Sequence, residues 1–299
     1  TWKFHPTYQF STASDLIDCE ATGTNVYGLI YNEGIATIET TLINNTKIQA
    51  STSSYGLIYN KGKLTFNTNL IENNNGANVI YTEGETSEIN IDNCLFKNTQ
   101  NSRAVHIASG SATVTNTDFI ENNGAIFSSG TLTATKNIFK NNDASQGGAI
   151  YSTGSADVQN SIFEANTATT GQAIYSTGTL NANNNYWTSN TPNLATLIEG
   201  TTPQNYIVIK IEGKSNLIPE SKETYTINFK TSDSDEICEL PDYEINLTAT
   251  NTLSDDSIII NKGIATVTYT APITEGSDII KAIVDLDERA TFDITIAED

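Results

Sequence analysis

The chain has 299 residues, 37% hydrophobic and 17% charged, which is long enough for two domains, each with its own core. Acidic residues outnumber basic ones 35 to 15, and the resulting charge of -20 opposes contact with nucleic acid or anionic lipid. No apolar run is long enough to cross a bilayer, so no membrane contact is expected within the chain, and the opening TWKFHPTYQF lacks the apolar core of a signal peptide.

Residues 1–27 carry apolar side chains outside any repeat (Trp2, Phe4, Tyr8, Phe10, Leu16, Ile17) and are expected to form an N-terminal cap, with LIDCEATGTNV as a partial coil. Residues 28–198 repeat. Seven units open on Ile30-Tyr31, Ile58-Tyr59, Ile80-Tyr81, Val105-His106, Ile126-Phe127, Ile150-Tyr151 and Ile174-Tyr175, each followed within five residues by a glycine (Gly34, Gly62, Gly84, Gly110, Gly130, Gly154, Gly178). A glycine at the same place in every copy marks a corner that needs either a positive φ or a close backbone approach. Next comes strand alternation, as in Thr131-Leu132-Thr133-Ala134-Thr135, and then a large apolar residue: Leu42, Leu70, Phe96, Phe119, Phe139, Phe163, Trp187.

Three positions after that residue stand Asn45, Asn73, Thr99, Asn122, Asn142, Asn166 and Asn190; three before it stand Glu39, Asn67, Asn93, Asn116, Lys136, Asn160 and Asn184. A unit of about 24 residues with three short strands has the length of one turn of a right-handed parallel β-helix, so about seven coils are expected. Stacking would place the Ile, Leu and Phe columns in the core and turn the asparagine columns into hydrogen-bonded ladders.

Pro192 and Pro203 close the solenoid. From 204 to 299 asparagine thins out and six longer strands alternate, from YIVIKIEG to ATFDITIAE, as in an immunoglobulin-like sandwich, although the Cys-Trp-Cys signature is missing. Cys19, Cys94 and Cys238 are too far apart for a disulfide framework or a CxxC metal site and are read as buried free thiols.

GGAIYSTG with IFEAN and NGAIFSSG with IFKNN resemble the repeats of polymorphic outer-membrane-protein-type β-helices. With NNNYWTSN closing the coils and KGIATVTYTAP in the sandwich, nearly the whole chain after residue 27 is similar to adhesin-like proteins of methanogenic archaea. The resemblance implies a cell-surface adhesin whose solenoid presents a ligand side, with a glycan or protein of another cell as partner and the Ig-like domain as spacer. SRAVHIASG departs from the pattern, with His106 in the aromatic place and its glycine one residue late, so a bulge is expected there. Such repeats are specific for fold and weak for function, since stacking alone demands them.

The sequence lacks methionine and begins at Thr1, so it reads as a piece of a longer product, with a secretion signal, an anchor and further Ig-like domains expected outside it. Asn44 (Asn-Asn-Thr) and Asn246 (Asn-Leu-Thr) are glycosylation candidates and agree with an extracellular location.

The candidate ligand side is the aromatic column, Tyr59, Tyr81, Phe127, Tyr151 and Tyr175 above all. Strand alternation sets these rings opposite the Ile column, so they face outward if Ile faces inward; the competing orientation packs them inside with Leu29 and Leu57. The alternative function is a carbohydrate-active enzyme, a polysaccharide lyase or hydrolase. Its only candidate grouping is Arg103, Asp118 and Asp92, whose acids are scattered, so no catalytic residue is assigned. His5 and His106 are too few for a metal or triad site. The acidic loops DSDE (233–236) and DLDE (285–288) could hold Ca²⁺ but lack EF-hand spacing; plain loops are the simpler reading, and no cofactor is expected.

Overall fold

In the computed structural model, which describes residues 2–4, 7–10, 15–234 and 236–298, the chain divides into two compact units: Thr1–Asn183 with Asn193–Pro203, and Asn184–Pro192 with Gln204–Asp299.

The first unit is a β-solenoid of stacked parallel coils with three long sheets. A first sheet of nine strands includes Gly56–Asn60, Asn78–Thr82, Val105–Ile107, Ile126–Ser128, Ile150–Ser152, Ile174–Ser176 and Ile198–Glu199. A second sheet of eight strands includes Lys63–Asn67, Ser111–Thr115, Thr131–Thr135 and Ser155–Gln159; a third of seven includes Leu95–Lys97, Asp118–Ile120, Ile138–Lys140 and Ile162–Glu164. The segment expected to cap the N-terminus is itself wound in register, since Trp2–Phe4, Thr7–Phe10, Leu16–Ile17 and Glu20–Val26 each pair in parallel with the following coil.

Period-two alternation decides what lies inside. On the second sheet Leu64 and Phe66, Ala112 and Val114, Leu132 and Ala134, and Ala156 and Val158 are buried, while Thr65, Thr113, Thr133 and Asp157 between them face outward. On the third sheet Phe96, Phe119, Phe139 and Phe163 stack with centroids 5.0, 5.2 and 4.9 Å apart and planes within 14°. The repeated glycine is explained by crowding at the corner: a Cβ on Gly178 would lie 1.9 Å from the carbonyl oxygen of Gly154. At Gly84 and Gly110 the φ is positive instead, 114° and 81°.

Strand register corrects the polar columns in two ways. In the first two coils the inward residue of the third sheet is Ile43 and Ile71, both fully buried, and not Leu42 or Leu70, which sits 37% exposed. The ladder therefore runs Thr46, Asn74, Thr99, Asn122, Asn142, Asn166, while Asn45 and Asn73 occupy left-handed corners with φ of 51° and 56°. The amide N–H of Asn122 donates to Asn142 Oδ1 at 3.1 Å and that of Asn142 to Asn166 Oδ1 at 3.1 Å. The Nδ2 groups of Asn122, Asn142 and Asn166 donate to the carbonyls of Phe96, Phe119 and Phe139 at 2.9, 2.8 and 2.7 Å. Asn190 stands outside the ladder, in the second unit, where it exchanges two hydrogen bonds with Ile209.

The other expected ladder is a column of corners. Asn93, Asn116, Lys136, Asn160 and Asn184 all have φ between 48° and 58°, a conformation asparagine tolerates better than most residues. The second buried ladder lies one residue further on: Thr41, Asn69, Cys94, Thr117, Asn137, Ser161. Thr41 N–H donates to Asn69 Oδ1 at 2.9 Å and Thr117 N–H to Asn137 Oδ1 at 3.0 Å. Cys94 occupies one rung, its thiol directed at the carbonyls of Phe66 and Asp92, and burial pushes its pKa up to about 11. Cys19 and Cys238 are free thiols too but only half-buried, against the expectation that all three are buried.

The second unit is a sandwich of two antiparallel sheets compatible with an Ig-like fold. Ile207–Glu212, Lys222–Thr231, Ile264–Thr270 and Thr252–Leu253 form one sheet. Asn216–Leu217, Asp287–Ile296, Gly276–Val284, Tyr243–Thr248 and Ser257–Ile260 form the other, in which only the short Asn216–Leu217 pairs in parallel. Inward alternation buries Ile209, Tyr225, Ile227, Phe229, Ile245, Leu247, Tyr269, Ile280 and Ile294. Asn184–Pro192, read from the sequence as the end of the solenoid, groups here, with Tyr186 buried against Phe229 at 5.1 Å.

A carboxylate sits inside this unit. The carboxylate of Asp278, 3% exposed, accepts hydrogen bonds from the backbone N–H of Thr250, Asn251 and Ile279, from Asn251 Nδ2 and from the Tyr269 hydroxyl, at 2.7 to 3.0 Å. Burial pushes its pKa up, but these donors together outweigh burial and hold it at about 2.

Candidate functional site

Alternation on the first sheet sends Ile58, Ile80, Val105, Ile126, Ile150 and Ile174 into the core, each fully buried. The intervening ring of each coil therefore points to the outer face, the outward orientation. Register aligns Tyr31, Tyr59, Tyr81, His106, Phe127, Tyr151 and Tyr175 in one column, with successive centroids 4.5 to 5.6 Å apart. Outward does not mean bare: Tyr59 is 1% exposed and the others are half-buried.

Part of the cover is a feature the sequence reading passed over. Tyr27 and Tyr55, in the turns four residues before Tyr31 and Tyr59, stack on each other at 5.3 Å and 2° and meet Tyr31, Tyr59 and Tyr81 edge to face. The signal was present in the pentapeptide YGLIY, which occurs at 27–31 and again at 55–59.

Acidic groups tie the phenols of this cluster. Tyr31 donates to Glu33 at 2.5 Å, Tyr59 donates to Glu83, and Tyr81 donates to the other oxygen of Glu83 at 3.4 Å. Lys61 pairs with Glu83 at 3.3 Å and lies 5.6 Å from the Tyr59 ring centre. Burial, then the hydrogen bonds and charges of Glu33 and Glu83, raise Tyr31 to about 12 and push Tyr59 far above the ordinary phenol value. Burial also raises Tyr81 to about 12, with the charge of Glu83 adding to it.

Further along, Arg103 reaches over the column. Its guanidinium lies 5.7 Å from the Tyr151 ring centre and donates to the carbonyls of Ile126 at 3.1 Å, Gly147 at 3.0 Å and Gln146. Burial lowers it to about 10, so it stays charged at neutral pH. His106, between Tyr81 and Phe127, is lowered to about 4 by burial and by Arg103, and it serves as a neutral ring of the stack.

The residues of the enzyme reading do not meet. Arg103 is committed to carbonyls beside the first sheet. Asp92 ends a strand of the second sheet and accepts from Thr115 Oγ1 at 2.6 Å and Asn116 Nδ2 at 2.8 Å. Asp118 faces outward from the third sheet, opposite buried Phe119, between Leu95 and Ile138; burial raises it to about 6. His5 lies outside the described residues, as does Asp235 of DSDE. DLDE is a hairpin turn with positive φ at Asp285 and Leu286, and its remaining acids pair with cations, Asp287 with Arg289 at 3.3 Å and Glu288 with Lys281 at 2.5 Å. Among the described residues no three His, Cys, Asp or Glu side chains are grouped to hold a metal. Asn246 is exposed on its strand, whereas Asn44 is half-buried, accepts from Asn73 Nδ2 at 3.2 Å, and precedes a Thr46 that is 1% exposed.

No family model and no curated protein matches the sequence. The CARDB domain of a protein from Pyrococcus furiosus, a crystal structure in complex with di-metal ions, is similar over 30% of this chain and 87% of its own, at 20% identity and a TM-score of 0.22. Likeness at that level bears on no ligand or role. The architecture rests on strand register: about seven stacked parallel coils, followed by an antiparallel sandwich compatible with the Ig-like fold.

Proposed function

We propose that the chain is an extracellular, non-enzymatic adhesive segment of a cell-surface protein, in which the solenoid presents a binding side to a glycan or protein of another cell and the sandwich acts as a spacer. The observation that carries this reading is the aromatic column on the outer face of the first sheet. An outward row of rings costs solvation wherever its own neighbours leave it partly exposed, as at half-buried Phe127, Tyr151 and Tyr175, and interaction sites are the usual reason such rows persist. The resemblance of the repeats to adhesin-like proteins of methanogenic archaea supports the same reading, as does the exposed glycosylation candidate Asn246. Lyase or hydrolase chemistry finds no starting point in Arg103, Asp92 and Asp118, which lie on three different sheets or their turns. No cofactor is assigned.

The test is binding of the labelled chain to intact cell surfaces and to a glycan array, with and without Ca²⁺. Saturable, metal-independent binding is the expected result. Absence of binding to any surface, or release of new reducing ends or unsaturated products from polysaccharides, would sink it.

A further inference from the structure

The aromatic column is built in two different ways along its length. In the early coils the turn position four residues before the ring is Tyr27 for Tyr31, Tyr55 for Tyr59 and the buried Ala77 for Tyr81, and the flanking outward position two residues after it is Glu33, Lys61 and Glu83. The acids bind the phenols of Tyr31, Tyr59 and Tyr81, and Tyr27 and Tyr55 pack edge to face against their rings. In the later coils the same turn position holds Asn123, Gly147 and Gly171. The two glycines have φ of 52° and 57°, and a Cβ on them would lie 2.0 Å from the carbonyl oxygen of Ile150 and 2.2 Å from that of Ile174. No covering side chain can stand at those two positions.

The flanking position changes with it. Ser129, Thr153 and Thr177 are exposed there, with Thr153 Oγ1 3.1 Å from Ser129 Oγ. Among the described residues the phenols of Tyr151 and Tyr175 have no hydrogen-bond partner. Phe127 and Tyr151 meet at 90° and Tyr151 and Tyr175 at 89°, whereas Tyr59 and Tyr81 lie within 5° of parallel. An edge-to-face contact turns one ring of each pair out of the stack and exposes a face that parallel stacking would cover. On Tyr151 one face is taken by the Arg103 guanidinium, 5.7 Å from the ring centre, which leaves the other face and the phenol for a ligand. The next member of the column is Glu199, exposed and in register with Tyr175.

We propose that this later stretch, Phe127, Tyr151 and Tyr175 with the hydroxyls of Ser129, Thr153 and Thr177 beside it and Glu199 at its end, binds an uncharged linear polysaccharide, and that the earlier tyrosine cluster is structural filling. The proposal rests on the adhesive reading above and narrows it to one ligand class and one place. Pyranose rings offer apolar C–H faces to aromatic rings and hydroxyls to Ser, Thr, phenol and carboxylate groups, and this stretch places the two kinds of partner in adjacent columns. Coils recur every ~4.8 Å, comparable to one sugar unit, so a chain lying along the solenoid axis meets equivalent groups at each unit. The net charge of -20 and the terminal Glu199 disfavour anionic polymers.

The experiment titrates the full chain with the neutral hexasaccharides of β-linked glucose, N-acetylglucosamine and mannose, using calorimetry and NMR. At least one is expected to bind. Tyr151→Ala and Tyr175→Ala should each weaken binding by about tenfold, the equivalent of losing about 1.4 kcal/mol of contact. Tyr27→Ala, at a 47% exposed ring of the early cluster, should leave it unchanged. Tyr175→Phe keeps the packing and removes only the free phenol, so it separates lost contact from lost folding and should weaken binding by a smaller factor. Binding that is indifferent to Tyr151 and Tyr175, or that falls equally with Tyr27→Ala, overturns the location while leaving an adhesive role standing. Capture of a lysine-rich peptide in place of all three sugars, or no sugar bound by a chain that still attaches to cells, overturns the ligand class. Failure of cell attachment itself removes the broader reading.

Discussion

The solenoid and the sandwich solve one problem in opposite ways. Both must place polar groups where water does not reach. The solenoid divides the task among many uncharged side chains, of which Asn142 satisfies an N–H of Asn122 and the carbonyl of Phe119 in adjoining coils. The sandwich meets most of its backbone needs through antiparallel pairing and then gathers five donors on the single carboxylate of Asp278. A ladder should lose its rungs one at a time, whereas a hub should fail as a unit.

The sharpest way to break that contrast is Asp278→Ala. Five donors lose their acceptor inside the sandwich, and a cost of about 3 kcal/mol or more is expected. Segment-resolved hydrogen exchange should place the loss in residues 204–298 and leave the solenoid untouched; a loss spread over both units would contradict the hub. The same carboxylate makes the sandwich acid-sensitive. Its pKa is lower folded (about 2) than unfolded (about 3.9), so its contribution of about 2 kcal/mol is fully present above pH 4 and disappears as pH falls through 2. Asp278→Asn should flatten that part of the stability profile.

Asn142→Ala tests a rung. It strands the amide and side-chain donors of Asn122 and the carbonyl of Phe119, for an expected cost of about 2 kcal/mol seen as faster exchange in the two neighbouring coils. Exchange accelerated along the whole solenoid would mean the ladder behaves as a hub after all. The smallest effect belongs to Cys94→Asn. Asn69 and Asn137 stand at the same place in other coils, so denaturant midpoints should move by less than about 1 kcal/mol, and the buried native thiol should resist alkylation.

Much of this was legible in the sequence because stacking writes its needs as columns. Ile126, Ile150 and Ile174, the Phe96 to Phe163 series and the corner glycines each answer to one backbone position, so residue type and spacing carry the information. The register slip at Leu42 and Leu70 arose where two adjacent apolar residues, Leu-Ile, both fit the period and where Thr40 and Thr68 replace asparagine at the left-handed corner. One expected ladder turned out to be that corner, since asparagine serves both purposes. The true second ladder was hidden because Thr, Asn, Cys and Ser all fill it, united by size and hydrogen-bonding capacity more than by identity. At the candidate site the column itself was readable. Its division into a half packed by further tyrosines and a half without them was not, because Tyr27 and Tyr55 lie in turns, outside the alternation.

The ladders also have a direction. Thr46, Asn122 and Asn142 each hand an amide proton to a side chain about one coil later in the chain. Those turns are thus completed by their successors, and during synthesis the newest of them remains provisional until more polypeptide arrives. Growth or trimming by whole turns preserves this arrangement, whereas a cut through the middle of one leaves the preceding turn unfinished. A protein made this way can vary its reach over evolutionary time by duplicating a single module, without redesigning any interior contact.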